Sequence, residues 1–587
     1  MLANLTLDWE TYYGKDLSLS KKDTSTSDYV ESTLFEPTGL GIEFYGEIKY
    51  FYMVNDELFA PDGFFFSHID SPNTWQELLD MFQWDEINLI CHNTAFDGYI
   101  LHYHYNIHPA FYSDTMSMAK GLDFHASASL KMVAKKYGVG EKGKELANFM
   151  GIRHLTHDQQ IDMGRYCRQD VRLTTKIFNE LVKFYPEDEL EIIDSTIRMF
   201  CEPKLVLDKP RLNAYIDQMK YDKATAIEKV VDICSEIELS SDKQYGNLLE
   251  TLTGEPTPQK VNAKTIKKKP EDQIYTNALS KDDIEYARFK RKHSELNDVF
   301  AARSAAKEIS ELRKAERILH HGDNDKGVPV LLKYSGAHTK RFSGGNKTNM
   351  QALKRGGELR KSLKAPPGYK VVVADLSQIE PRVTAWLAGN QRYLDIFADS
   401  KRDIYTEEYN AIMGTNITKK DNPEERFVGK QIVLSLGYGQ GAKKFRTNAE
   451  KGALGGPPVF FTEEEANKIV NGYRSVNWQI PQLWRQMETI ATLMMNKKTE
   501  YTWKGMTVLW ERIFTHTGMF LYYPNIRQIS DPDTGYDALK YGKDANTWGG
   551  TLVENLVQHL SRNVICTQAI QIKKELGLPI VHMVHDE

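Results

Sequence analysis

The stretch VVVADLSQIEPRV, residues 371–383, changes character in its middle. Its β-branched run reads as a strand of the buried type that ends in Asp375. A helix is then expected to begin, with Ser377 as N-cap and Glu380 at the third helical position, the spacing of a capping box. Pro381 falls in the first turn, where its missing N–H costs no helical hydrogen bond. This segment therefore offers a carboxylate, Asp375, at a strand-to-helix junction.

Downstream, DNPEERFVGKQIVLSLGYGQG occupies residues 421–441. Asn422 reads as a cap and Pro423 as the first helical residue, with two glutamates after it. Arg426, Lys430, Leu434 and Tyr438 follow at steps of four, a slowly drifting stripe along one helix face. Gly437, Gly439 and Gly441 break the helix. An Arg and a Lys on a helix are commonly solvent-facing. A basic stripe that ends in an aromatic, on a helix facing a metal-binding Asp, suits a nucleoside triphosphate. Its cations would hold phosphates and its ring would cover the base.

Upstream, LTLDWETYY at residues 5–13 puts Asp8 and Glu10 at a strand end, two apart and on the same face. Taken alone, a D-x-E pair is a solvated strand end. CHNTAFDGYIL, residues 91–101, follows a second apolar strand and carries Asn93, Phe96 and Asp97. YCRQDVRLT, residues 166–174, places Tyr166 one helical turn before Asp170. Four carboxylates from two strand ends and a helix can hold two divalent cations, and hard oxygen ligands select magnesium or manganese. Such a pair activates water and stabilises the leaving oxygen in phosphodiester hydrolysis. Tyr166 is placed to orient the water.

The chain has 587 residues, 41% hydrophobic and 26% charged, which predicts several folded domains rather than disorder. A net charge of −5 argues against a generally basic coat protein but leaves room for a basic groove. The five cysteines, Cys91, Cys167, Cys201, Cys234 and Cys566, form no C-x-x-C pair, which argues against zinc and for a reduced compartment. The first residues read as no signal peptide and no stretch reads as a membrane span, so a cytoplasmic protein is expected.

Along the chain, strands are expected over 2–7 and 87–91, with helices over 129–137 and 160–184 that end at Tyr185-Pro186. This pattern is α/β. Residues 189–320 read as mostly helical, interrupted by a polar stretch over 253–270. The Lys267 to Lys269 run there reads as a solvated loop, or more sharply as a phosphate-contacting one. A helical block over 382–495 precedes short aromatic-rich strands over 501–521, a helix over 552–576 and a strand over 580–584.

The ordered set D-x-E, N-x-x-x-F-D and Y-x-x-x-D resembles the DEDD-type 3′–5′ proofreading exonucleases of the tyrosine subclass, over roughly residues 1–185. The C-terminal half resembles the family A DNA polymerases, the group of bacterial DNA polymerase I and many phage replicases. DLSQIE at 375–380 is similar to motif A, Arg426 to Gly439 to motif B, and VHDE at 584–587 to motif C. TKRFSGGNKTNMQ, with Arg341, Asn349 and Gln351, is similar to the primer-template segment, and ENLVQ, with Gln558, to the helix lining the template minor groove.

The resemblance implies an α/β, RNase H-like exonuclease domain followed by a right-hand polymerase with an α+β palm and helical thumb and fingers. The expected boundaries are exonuclease 1–188, thumb 189–327, palm 328–390, fingers 391–535 with the motif B helix at 423–438, and palm again 536–587. It implies two Mg2+ ions in each site, replaceable by Mn2+. Asp8, Glu10, Asp97 and Asp170 would hold one pair, with Tyr166 beside them. Asp375 and Asp586 would hold the other, with Glu587 in the catalytic set. Arg426, Lys430, Leu434, Tyr438, Gln378 and Glu380 would meet the nucleotide, Glu380 crowding the sugar's 2′ position. Arg341, Asn349, Gln351, Gln558 and His585 would meet primer-template DNA, read by shape and backbone. The expected partners are that DNA and dNTPs. A monomer is expected, and the host cytoplasm if the gene is a phage's.

Two positions depart from the family pattern: Leu434 stands where Phe or Tyr is usual, and Pro381 where Leu or Ala is usual. The alternatives are a single-subunit RNA polymerase, which Glu380 and the exonuclease motifs oppose, and a DNA-binding scaffold, which the intact carboxylates oppose. A third alternative arises because motif C is normally the turn between two palm strands, and here Glu587 is the last residue. That reads as a truncated palm, with exonuclease activity kept and polymerisation weak.

Overall fold

The computed structural model of the chain describes residues 2–66, 71–143, 148–262, 264–266, 269–280, 282–322, 326–530 and 537–585. Asp586 and Glu587, and Lys267 and Lys268 of the charge run, lie outside the described residues. Two compact units form. One comprises Met1–Leu207, His321–Val383 and Gln486–Glu587, and the other Asp208–His320 and Thr384–Arg485.

The first unit is built on a six-stranded sheet in the order β4-β3-β2-β1-β5-β6. The strands are β1 (Ala3–Thr11), β2 (Pro37–Phe44), β3 (Glu47–Val54), β4 (Glu57–Phe59), β5 (Ile87–Cys91) and β6 (Phe111–Asp114). β1 pairs antiparallel with β2 and parallel with β5, so it lies in the interior of the sheet. Its Leu5 and Leu7 are buried, as are Leu40 and Ile42 of β2 and Leu89 of β5. Each such side chain contributes roughly 1.5–3 kcal/mol by leaving water. Helix His157–Leu181 packs on β1, β2 and β3. The approach is close because β2 carries glycine at position 41: a Cβ there would lie 2.7 Å from Cys167 Sγ and 2.8 Å from Val171 Cγ2.

Helix Gly549–Leu576 is tied to this unit by buried charge. Arg562 grips both carboxylate oxygens of Glu189, the second at 2.9 Å, and Tyr334 donates to the same carboxylate at 2.5 Å. Lys573 reaches Glu191 and Asp194, each at 2.8 Å. Lys340, in the TKRFSGG segment, has φ 65°, a left-handed backbone that favours glycine, and its buried ammonium donates to the Gly121 carbonyl.

His321 makes a second buried anchor. Its ring nitrogens lie 3.0 Å from Asp28 and 3.0 Å from Glu31. Burial alone would lower the imidazole, but the hydrogen bonds and charges of these two carboxylates override it and raise it to about 9. A pKa raised on folding stabilises fully below the unfolded value near 6.5 and ceases to do so as pH climbs through 9. The gap corresponds to roughly 3 kcal/mol. The loss of urea-unfolding stability in His321→Gln is therefore expected to be larger at pH 6–7 than near pH 10 by about that amount. A pH-independent difference between the two proteins would refute the ion pair.

Two expected strands do not form. Residues 369–375 and 580–584 have no ladder partner among the described residues. Val372 is 84% exposed and Val373 63%. β-branched residues favour a strand only when a neighbouring strand accepts their backbone groups, and no described segment does so here. The following helix starts at Ile379, after Gln378 in a left-handed conformation (φ 57°), so Ser377 is not its N-cap.

The second unit is mainly helical. Helices Lys209–Glu228, Asp242–Thr253, Ile284–Lys292 and Asn297–Lys307 surround a buried cluster that includes Tyr245, Leu249, Tyr286 and Phe300. Within the polar interruption, strand Gln259–Val261 pairs antiparallel with Tyr275–Asn277 just beyond it. Glu450 holds Arg288 at 2.7 Å and Arg291 at 2.5 Å, joining helix Ile284–Lys292 to helix Ala442–Glu450. Helix Pro423–Leu436 packs against helices Ile404–Met413 and Glu463–Val476. It ends at Leu436, two residues earlier than expected, with Gly437 as its C-cap, and leaves Tyr438 in the turn before Gly439 (φ 82°).

Candidate active site

On β1, Asp8 sits opposite Gly41 and Glu10 opposite Gly39. The two glycine partners let neighbouring side chains come down close onto this part of the sheet: a Cβ would lie 2.7 Å from Cys167 Sγ at Gly41 and 2.1 Å from the Tyr50 hydroxyl oxygen at Gly39. Helix Thr94–Tyr105 begins directly after β5, with Asn93 in a left-handed turn (φ 83°). Asp114 fixes that turn by accepting from the Asn93 N–H at 2.8 Å and the Thr94 N–H at 3.1 Å. One helical turn on, Asp97 accepts from the Trp9 N–H at 3.1 Å and so reaches the β1 carboxylates. Helix His157–Leu181 brings Tyr166 and Asp170 in from the other side.

The four expected carboxylates are thus gathered, and their electrostatics show how tightly. Burial and the charge of Asp170 push Asp8 up to about 7. Burial, then Asp8 and Asp170, drive Glu10 well above the usual carboxylate range. Burial and Asp8 do the same to Asp97. Asp170 is raised by burial even with Lys142 upon it. Its Oδ1 is buried and lacks a hydrogen-bond partner among the described residues. Buried carboxylates that repel one another are neutralised either by protons or by bound cations, and a hard oxygen cluster fits divalent ions. A ligand atom each from Asp8, Glu10 and Cys167 lie within 4.8 Å of one another. The Cys167 thiol is raised by burial and by the same carboxylates, so it stays neutral and is a poor ligand for a hard ion. Burial and Asp170 also raise the Tyr166 phenol, which remains protonated.

Three supporting residues escaped the sequence reading: Asp114, Gly41 and Lys142. Asp114 had a visible signal, an acid at the end of an apolar strand. Gly41 and Lys142 had none, since each matters through a residue distant in sequence.

The other predicted residues fall in two places. In the first unit, Arg341 joins two segments far apart in sequence: it donates to Glu380 at 3.1 Å and lies 3.4 Å from His585 Nδ1. Gln351 is buried and donates to the Met583 carbonyl at 3.0 Å, while Asn349 caps the short turn Met350–Ala352. Asp375 has Arg355 at 3.7 Å and a side chain that is 40% exposed. Gln558 lies on helix Gly549–Leu576 and donates to Glu554 at 3.3 Å. In the second unit, Arg426 is already committed, gripping both oxygens of Asp403 at 2.7 and 2.9 Å. Lys430 and Leu434 are half-buried on the same helix, and Tyr438 is half-buried just beyond its end.

The chain belongs to DNA polymerase family A, whose sequence pattern matches residues 209–516, and the pattern of a 3′–5′ exonuclease matches residues 57–185. Both kinds of domain use divalent metal ions. Among its relatives, the DNA polymerase of Bacillus phage SP02 is 27% identical over 547 residues, 81% of this chain and 78% of that one. The DNA polymerase of Escherichia phage T5 is 26% identical over 235 residues, 36% of this chain and 27% of that one. The POL domain of Pol1 from M. smegmatis, in complex with DNA primer-template and dNTP, shares the fold, with a TM-score of 0.62 at 16% identity over 94% of this chain and 86% of that one. The main sequence expectation is borne out, and the RNA-polymerase-like alternative gains no support. Among the described residues no helix is long and apolar enough to cross a membrane.

Proposed function

We propose that this chain, as a monomer in the cytoplasm of a phage's host, extends a DNA primer with deoxynucleotides and removes nucleotides from the same 3′ end. The observation that carries the proofreading half is the buried cluster of Asp8, Glu10, Asp97 and Asp170 with Tyr166 beside it. These four carboxylates would hold two Mg2+ ions. When bound, the ions lower the pKa of water and offset charge on the leaving oxygen. The protonated Tyr166 phenol would orient the attacking water. The site lies in a unit whose sheet and helices fix all five side chains, which favours reaction of a precisely held 3′ end.

For polymerisation, Asp375 and Asp586 would hold the second pair of ions, with Glu587 next to them. Lys430 would bind the triphosphate and Tyr438 would stack on the base, while Leu434 and Gln378 would border the nucleotide. Arg426 supports this less directly: through Asp403 it braces the helix that carries Lys430. Arg341, Asn349, Gln351, Gln558 and His585 would follow the primer-template backbone. The Arg341 contacts to Glu380 and His585 support this, because one cation organises segments far apart in sequence.

Single-nucleotide primer extension with dNTPs and NTPs tests the reading. The wild type is expected to prefer dNTPs strongly. Glu380→Ala is expected to raise ribonucleotide incorporation about 10–100-fold, the scale of a lost steric contact of ~1–3 kcal/mol. Leu434→Tyr is expected to change discrimination against dideoxynucleotides. Sugar selectivity untouched by either substitution would displace the proposed pocket.

A further inference from the structure

The loop between helices Leu130–Tyr137 and His157–Leu181 begins GVGEKG, residues 138–143. Gly138 (φ 66°) closes the first helix in a left-handed cap. Gly140 has φ 143°, a backbone open to glycine alone, and a Cβ on it would lie 2.9 Å from Leu173. Gln169 then donates to the Glu141 carbonyl at 3.0 Å. Two contacts from helix His157–Leu181 thus deliver the next residue, Lys142, to the carboxylate cluster. Its ammonium pairs with Asp170 Oδ2 and sits 4.7 Å from the centre of the Tyr166 ring. The Asp170 side chain is 4% exposed and that of Lys142 25%. The arginines of the same helix point elsewhere: Arg165 to Asp162, Arg168 to Asp62 and Arg172 to Gln169.

Charge bookkeeping, resting on the proposed exonuclease reading, assigns the ammonium a task. Four carboxylates are balanced by two divalent ions, which leaves the substrate phosphodiester unbalanced, and hydrolysis adds a further negative charge as it proceeds. An Asp170 engaged by a divalent ion no longer needs Lys142. The released ammonium has a flexible four-carbon stem and one new anion within the site. We propose that Lys142 is a catalytic residue of the exonuclease with two positions: on Asp170 without divalent ions, and on a non-bridging oxygen of the scissile phosphate when ions and DNA are bound. In the reaction, water forms the new bond to phosphorus and releases a proton to solvent, and the P–O3′ bond breaks. The departing O3′ takes a proton and becomes the primer 3′-OH, and the terminal nucleotide leaves as a 5′-monophosphate. Lys142 exchanges no proton; it offsets charge that grows toward the transition state.

The test compares wild type, Lys142→Ala, Lys142→Gln and Lys142→Arg as full chains stripped of metal, with primer extension confirming that each is folded. MgCl2 is first titrated while the thermal midpoint is followed, with Asp8→Ala/Glu10→Ala protein as the baseline lacking the exonuclease ions. Without the competing ammonium, Lys142→Ala and Lys142→Gln are expected to reach half-effect at roughly tenfold lower MgCl2. At saturating MgCl2 their kcat on a single-stranded oligodeoxynucleotide is expected to fall roughly 100-fold with KM nearly unchanged, and Lys142→Arg to recover much of it. An unchanged magnesium midpoint overturns the competition for Asp170. An unchanged kcat in Lys142→Ala, with wild type active, overturns the phosphate contact. Wild type that degrades no DNA refutes the exonuclease reading itself.

Discussion

Asp8→Ala combined with Glu10→Ala is expected to reduce nucleotide release from single-stranded DNA by about 10³-fold or more and to leave primer extension near wild type. The scale follows from the several kcal/mol that a two-ion site supplies, with 1.36 kcal/mol for each tenfold in rate. Folding is not at risk, because these carboxylates are stability liabilities in the metal-free protein. Burial and neighbouring charge raise both of them, Asp8 to about 7. Where a folded-state pKa lies above the unfolded one, the native state binds more protons, so stability falls as pH climbs from the unfolded value toward the folded one. The metal-free wild type is therefore expected to lose thermal stability between pH 5 and 7, and the double variant to lose less. Degradation kinetics, primer extension and melting curves in chelator check the three statements together. Equal loss of both enzymatic activities in a folded protein would show that the two carboxylate sets do not work independently.

The exonuclease half was legible because its residues sit at strand and helix ends whose periodicity is local. Asp8 and Glu10 alternate on a strand, Asp97 follows the next strand by one helical turn, and Tyr166 and Asp170 share a helix face. Each placement needs only the period of its own element. What the sequence concealed lies between elements. Gly41 matters because of Cys167 and Val171 on a helix far along the chain, and Lys142 because a glycine loop folds back onto Asp170. The motif A strand failed for the opposite reason. Val371, Val372 and Val373 have strong strand propensity, yet propensity does not supply a partner, and a lone extended segment stays outside any described sheet. Arg426 shows the same blindness at a polar position. Its spacing from Lys430 marks a shared face, whereas the acid that claims it, Asp403, comes from another helix.

That capture of Arg426 sharpens the last prediction. Helix Pro423–Leu436 carries two cations suited to a triphosphate, but Arg426 already spends its guanidinium on Asp403, the N-cap of helix Ile404–Met413, and lies 5.2 Å from the Tyr405 ring centre. Lys430 has no ion-pair partner among the described residues and stays half-exposed. A charge-assisted phosphate contact is worth roughly 1.5–3 kcal/mol, and more where it strengthens in the transition state. Lys430→Ala is therefore expected to cut kcat/KM for dNTP incorporation by about 10²–10³-fold, with exonuclease rate and thermal midpoint unchanged. Arg426→Ala is expected to behave differently. It leaves Asp403 without its partner and lowers the thermal midpoint, and its effect on incorporation comes through the brace between the two helices. Presteady-state incorporation at subsaturating dNTP, measured beside melting curves, separates the two residues. Incorporation that survives Lys430→Ala but collapses in Arg426→Ala without any loss of thermal stability would reverse the assignment and make Arg426 the phosphate ligand.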